Sequence, residues 1–85
     1  MASYRPLIKP SAAKELEALP RKDRRRLADR IRELSTESRP PGCEKLSVED
    51  LYRLRQGKYR ILYTVQDADR VVVIIRIGHR RDVYR

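Results

Sequence analysis

The last eight residues, Gly78-His79-Arg80-Arg81-Asp82-Val83-Tyr84-Arg85, hold one imidazole, three guanidiniums and one phenol. Upstream, Arg53, Arg55 and Arg60 add three more guanidiniums within a short stretch. A planar guanidinium fork matches the oxygens of a phosphate and holds their charge without a metal. An imidazole can move a proton near neutral pH. A tyrosine can stack on an exposed base or orient a hydroxyl. The chemistry on offer is therefore the binding and polarisation of a phosphodiester. Taken singly, each residue has an ordinary reading. A lone histidine sits at a surface or caps an element, a near-terminal tyrosine packs an edge, and Asp82 pairs with a neighbouring arginine. Only the combination points to phosphate.

The charge balance agrees. The 85 residues carry 21 Lys and Arg against 12 Asp and Glu, a net charge of +9. Residues 1–50 contribute 12 basic and 9 acidic groups, whereas residues 51–85 contribute 9 basic and only 3 acidic. The first part reads as mixed, solvated surface, and the second holds nearly unopposed positive charge. Such a surface favours polyanions, above all nucleic acid. Other classes fall away. One cysteine, Cys43, makes no internal disulfide, and one cysteine with one histidine makes no zinc site. No run approaches the roughly 20 apolar residues of a membrane span. The N-terminus lacks the apolar segment of a signal peptide. We therefore expect a cytoplasmic protein with no membrane contact, no metal and no cofactor.

The chain is long enough for one small core, so a single domain over 1–85 is expected. Tyr4 to Ile8 predicts a short strand, closed by Pro10. Ser11 stands where a helix N-cap belongs, and Ala12, Leu16 and Leu19 follow at helical spacing. Pro20 ends that helix and suits the first turn of the next. Leu27, Ala28, Ile31 and Leu34 then form one apolar stripe. Arg24, Arg25, Arg26, Arg30 and Arg32 take the other faces of that helix. Glu37 to Glu49, with Pro40-Pro41-Gly42, reads as a loop. Three strands are expected after it, at Leu51–Gln56, Tyr59–Gln66 and Val71–His79. The fold class is α+β, in the order β-α-α-β-β-β. It predicts a twisted, mostly antiparallel sheet with a two-helix hairpin packed on one face.

Strand parity places the arginines. If Gly57-Lys58 is a two-residue loop, Arg55 lies across from Arg60 and Arg53 across from Leu62. Three guanidiniums then share the sheet face away from the helices. Like charges directly opposite destabilise a sheet, so this arrangement suggests that an anion is brought to them. For the last strand we expect an odd loop, Asp67-Ala68-Asp69, because it sets Val71, Val73, Ile75 and Ile77 into the core. It would also put Arg76 opposite Arg60, with Gly78 and Arg80 continuing the positive face. An even loop would turn the strand over unless a bulge restored parity.

These residues resemble the RelE toxin family, within the broader RelE/ParE group of toxin–antitoxin systems. The matching pieces are Tyr52-Arg53-Leu54-Arg55, Gly57-Lys58-Tyr59-Arg60-Ile61-Leu62-Tyr63, Val71 to Ile77, and the ending Gly78 to Arg85. Element order and length match as well, so the resemblance spans essentially the whole chain. It implies a ribosome-dependent messenger RNA endonuclease (an mRNA interferase) that cuts message in the ribosomal A site and inhibits translation. The ribose 2′-hydroxyl would attack the adjacent phosphate, giving a 2′,3′-cyclic phosphate and a 5′-hydroxyl, without a metal. The family's catalytic positions fall on Arg53, Arg55, Arg60, Arg80 and Tyr84. Arg60 and Arg80 would clamp the phosphate. Lys58, Arg76, Arg81 and Arg85 would contact RNA or the ribosome. The implied partners are the ribosome, its message and a RelB-like antitoxin whose acidic segment wraps the toxin. The toxin–antitoxin complex would bind operator DNA.

One departure matters. Well-known members carry lysines at the two positions held here by Arg53 and Arg55, and a lysine can act as base. A guanidinium keeps its proton at any working pH. The base is therefore left open between His79 as a catalytic or positioning residue, Tyr84 as phenolate, and no base at all. Two other functions stay open beside the nuclease: a ParE-like inhibitor of DNA gyrase, and a non-catalytic RNA- or ribosome-binding module.

Overall fold

The computed structural model describes residues 3–46 and 50–79. Its elements are β1 (Arg5–Ile8), α1 (Pro10–Glu17), α2 (Arg21–Glu33), β2 (Glu44–Lys45), β3 (Leu51–Gln56), β4 (Tyr59–Gln66) and β5 (Val71–His79). Among the described residues, no helix is long and apolar enough to cross a membrane.

Both helices start at prolines, for related reasons. Pro10 sits in the first turn of α1, where its preset φ fits and its missing N–H costs nothing. The N-cap is therefore Lys9, with extended backbone (φ −62°, ψ 147°), and not Ser11. Pro20 takes the cap position just before α2, one step earlier than a first-turn place (φ −54°, ψ 147°). Asp23 in the first turn of α2 and Arg30 and Arg32 in its last complement the helix dipole.

The five strands form one sheet in the order β1-β5-β4-β3-β2. The pairs β2–β3, β3–β4 and β4–β5 are antiparallel, and β1 joins β5 in parallel. The expected α+β fold is observed, with a mixed sheet. The helices cover one face. Ala12 of α1 and Leu27, Ile31 and the following Leu34 of α2 meet Tyr52, Leu54, Ile61, Tyr63, Val65, Val72, Ile74 and Ile77 in one core. Burying those strand side chains on one face leaves the alternate row outside. That partition positions the site.

Two expectations are corrected. The segment 37–49 is not wholly a loop. Glu44 and Lys45 pair with Arg53 and Tyr52, adding the short strand β2. The connection from β4 to β5 is even, Asp67 to Arg70, because Gln66 pairs with Val71. Val72 and Ile74 therefore face the core in place of Val73 and Ile75. A bulge restores parity. Tyr63 pairs with Ile74 but Leu62 pairs with Arg76, so one extra residue is accommodated and Ile77 returns to the core.

The even turn has a physical reason. Arg39 donates to both carboxylate oxygens of Asp67, at 3.2 and 2.8 Å, and the Tyr4 hydroxyl donates to Oδ1 at 2.6 Å. The Arg5 N–H donates to the Arg70 carbonyl at 2.9 Å, so β1 anchors the far end of the turn. Arg70 itself takes a left-handed conformation (φ 54°) to close it. Arg39 also donates to the Tyr52 hydroxyl at 2.8 Å, and Tyr52 stacks on Tyr63 at 5.8 Å between centroids. The buried Tyr63 hydroxyl donates to the Ser38 carbonyl at 2.9 Å, and burial pushes its pKa up.

The bulge makes a test available. Ile74 is fully buried and Ile75 only partly so. Ile74→Ala should cost about 2–5 kcal/mol and Ile75→Ala distinctly less. Urea unfolding of both variants checks the order, and the reverse order would refute this register.

Candidate active site

The β3–β4 hairpin is closed by Gly57-Lys58. Gly57 has positive φ (60°) and Lys58 does not, so glycine stands at the one turn position that needs it. This two-residue turn sets the register of everything above it. Arg55 pairs directly with Arg60, and Arg53 pairs with Leu62. Their neighbours Tyr52, Leu54, Ile61 and Tyr63 are buried against the helices. The arginine row therefore faces away from them. Across β4, Gly78 lies opposite Arg60, in the position expected of Arg76.

The three guanidiniums differ in setting. Arg55 is exposed, Arg60 half-buried with its Nε and Nη1 withdrawn from solvent, and the Arg53 side chain only 12% exposed. Arg53 is held by a residue the sequence reading did not single out. Its Nη2 and Nε donate to one carboxylate oxygen of Glu44, at 2.7 and 3.2 Å. Glu44 sits across from Arg53 on β2. The Arg53 hydrogen bond holds the Glu44 carboxyl below its ordinary pKa, and the charges of Arg53, Arg55 and Arg60 add to the effect. Glu44 thus lies within the field of all three arginines. Periodicity could not find it, because a two-residue strand is shorter than any alternation can register. Glu44 is one of three acids between Gly42 and Leu51, with Glu49 and Asp50, and spacing alone does not distinguish it.

Other candidates lie elsewhere. His79 pairs with Tyr59, and its ring meets the Tyr59 ring edge-on at 6.2 Å. The Tyr59 hydroxyl in turn donates to Asp23 of α2 at 3.0 Å, which raises the phenol's pKa. His79 therefore belongs to the row of Tyr59 and Ile61, not to that of Arg60. Arg76 donates to Glu15 of α1 at 3.2 Å, at the sheet edge beyond the reach of β1. Glu15 also accepts the Ile77 N–H at 2.8 Å, capping that edge. Lys58 lines a small cavity with Asp23 and Arg26. Arg80, Arg81, Tyr84 and Arg85 lie outside the described residues. Among the described residues, no cluster of three or more His, Cys, Asp or Glu side chains is placed to hold a metal ion.

Three guanidiniums thus share one sheet face, Arg53 held by Glu44, and planar cations so placed suit the oxygens of an anion. The family model for the ParE toxin of type II toxin–antitoxin systems matches residues 7–84. The putative toxin RelE1 of Methanocaldococcus jannaschii is 31% identical over 78 residues, covering 85% of this chain and 84% of that protein. Toxin RelG of Mycobacterium tuberculosis is 47% identical over 34 residues, a match spanning 40% of this chain and 39% of RelG. The archaeal RelE–RelB complex from Pyrococcus horikoshii contains a similar fold. There the TM-score is 0.84 at 32% identity, covering 94% of this chain and 98% of that one. The chain belongs to the RelE family of toxins, within the RelE/ParE group of type II toxin–antitoxin systems.

Two outcomes follow from this geometry. Arg55→Ala removes one member of a like-charge pair, so it should leave stability unchanged or raise it by about 0.2–1 kcal/mol. It should also weaken binding of single-stranded RNA and flatten its salt dependence. A loss of stability would show that Arg55 has a structural role. The second outcome concerns acid. Glu44 and Asp67 both have lowered folded pKa values, Asp67 through hydrogen bonds from Arg39 and then Tyr4. Their stabilisation is complete above the ordinary carboxylate range and is lost as pH falls through the lowered values. Urea midpoints should therefore drop on acidification, with a shallower drop in Asp67→Asn.

Proposed function

We propose that this protein is a ribosome-dependent messenger RNA endonuclease, the toxin of a type II pair, acting in the ribosomal A site. The observation that carries the reading is the Arg55–Arg60 pair, with Arg53 on the same face. Like charges directly across a ladder disfavour a sheet, and a phosphate between Arg55 and Arg60 would turn that cost into binding. In-line attack by the 2′-hydroxyl builds charge on the non-bridging oxygens, and these arginines stabilise it by electrostatic preorganisation. Arg80 would complete the clamp, and Tyr84 would stack on a base or orient the 2′-hydroxyl. The ribosome would align the attacking oxygen, which supplies rate through orientation. Arg81, Arg85 and Lys58 would hold RNA phosphates.

The single domain over 1–85 would work in the cytoplasm, where ribosomes are. It would be restrained by an antitoxin. The relative from P. horikoshii was solved with RelB, and a +9 surface calls for an acidic partner. The pair together would bind operator DNA. A second reading rests on the ParE name of the matching family model. In that reading the protein inhibits DNA gyrase without cutting RNA.

Primer extension on a reporter message in a translating extract separates the two. The nuclease gives cuts confined to ribosome-bound message. Arg80→Ala and Arg60→Ala should each lower them at least about 100-fold. Growth arrest without cuts, insensitive to Arg55→Ala and accompanied by DNA damage signals, would establish the gyrase reading instead.

A further inference from the structure

Resting on the nuclease reading, we propose that Glu44 is the general base that takes the proton from the attacking ribose 2′-hydroxyl. Arg53, Arg55 and Arg60 keep their protons. His79 lies on the Tyr59 row, whereas Glu44 lies across from Arg53 on the arginine side. Glu44 is a carboxylate at the cluster, and an ionised carboxylate is acceptor-only.

Its placement suits the task. Arg53 donates from Nε and Nη2 to one oxygen, Oε1, which fixes the carboxylate beside the cation that would hold the phosphate. The side chain is 58% exposed, so a ligand can reach it. It also lines a cavity of about 370 Å³ together with Arg55, Arg30, Pro41, Gly42 and Leu54. That volume lies within the ~300–1,000 Å³ of small-molecule sites, and it adjoins the arginine face through Arg55. A phosphate on Arg53, Arg55 and Arg60 would bring its neighbouring ribose to this cavity.

The electrostatics make the base responsive to substrate. In the free protein the groups facing Glu44 are Arg53 and Arg55 of β3 and Arg60 of β4, with Arg30 of α2 across the cavity. They keep the carboxylate ionised. An arriving phosphodiester neutralises part of that field, so the carboxylate becomes more basic when the 2′-hydroxyl is beside it. The step balances. Glu44 takes the 2′-hydroxyl proton, and the freed oxygen pair bonds to phosphorus. The phosphorus–O5′ bond breaks, and the leaving oxygen takes a proton from water. Glu44 then returns its proton to solvent, leaving a 2′,3′-cyclic phosphate and a 5′-hydroxyl with no co-reactant.

The test is single-turnover cleavage on purified ribosomes programmed with a defined message. Glu44→Gln keeps an acceptor for Arg53 and should lower the rate by about 10²–10⁴ while ribosome affinity stays within a few-fold. The wild-type rate should fall on the acid side, and that limb should vanish in Glu44→Gln. Added formate should restore part of the rate to Glu44→Ala, which a merely structural role would not allow. Cleavage by Glu44→Gln at near the wild-type rate would overturn the base and leave the nuclease reading standing. So would a slowed variant that keeps its acid limb, with no formate rescue of Glu44→Ala. Absence of cuts by the wild-type protein would instead overturn the nuclease reading, and the base with it.

Discussion

Arg55 and Arg60 stand directly across from one another in the β3–β4 ladder. Like charges directly opposite one another disfavour a sheet. The ladder holds them there because the opposite face is committed. Tyr52, Leu54, Ile61 and Tyr63 are buried among the helices, and a slip of one residue would turn every one of them to solvent. The hydrophobic core thus supplies the free energy that keeps the guanidiniums together. The short turn at Gly57-Lys58 removes any slack in the register.

The rest of the fold serves the same end. Helices α1 and α2 cover one face and leave the other bare. The Tyr4–Asp67–Arg39–Tyr52 network ties β1, the β4–β5 turn and the 34–43 connection to the sheet. The bulge in β5 then aligns Gly78 with Arg60. Without it, the even turn would have carried Ile77 out of the core.

Glu44 changes the character of the site. A purely cationic face binds polyanions without discrimination. A carboxylate set within it adds an acceptor, and one pinned by Arg53 has a fixed position. On the proposed reading, that carboxylate would take the proton that Arg53 and Arg55, which keep their own, cannot accept. The two-residue strand β2 is the smallest element of the fold, and its contribution is to place that group.

Much was legible in the residues. The apolar stripe at Leu27, Ile31 and Leu34, the alternation in residues 59–66 and the glycine-led turn predict the two helices, the hairpin and the facing arginines. Each of these signals is local, because side-chain direction in a helix or strand follows from spacing alone. The turn at Asp67–Arg70, the bulge and the parallel pairing of β1 were not local. They depend on Arg39 and Tyr4 reaching Asp67 across 28 and 63 residues of chain. Glu44 was hidden for the same reason. Nothing in its own neighbourhood marks it, and its meaning comes from Arg53 across the ladder. The amino-acid sequence by itself determined which residues are apolar, which are cationic and with what period. Only the tertiary structure decided which carboxylate stands among the cations and which way His79 turns, because long-range register, unlike periodicity, is set by contacts between distant segments.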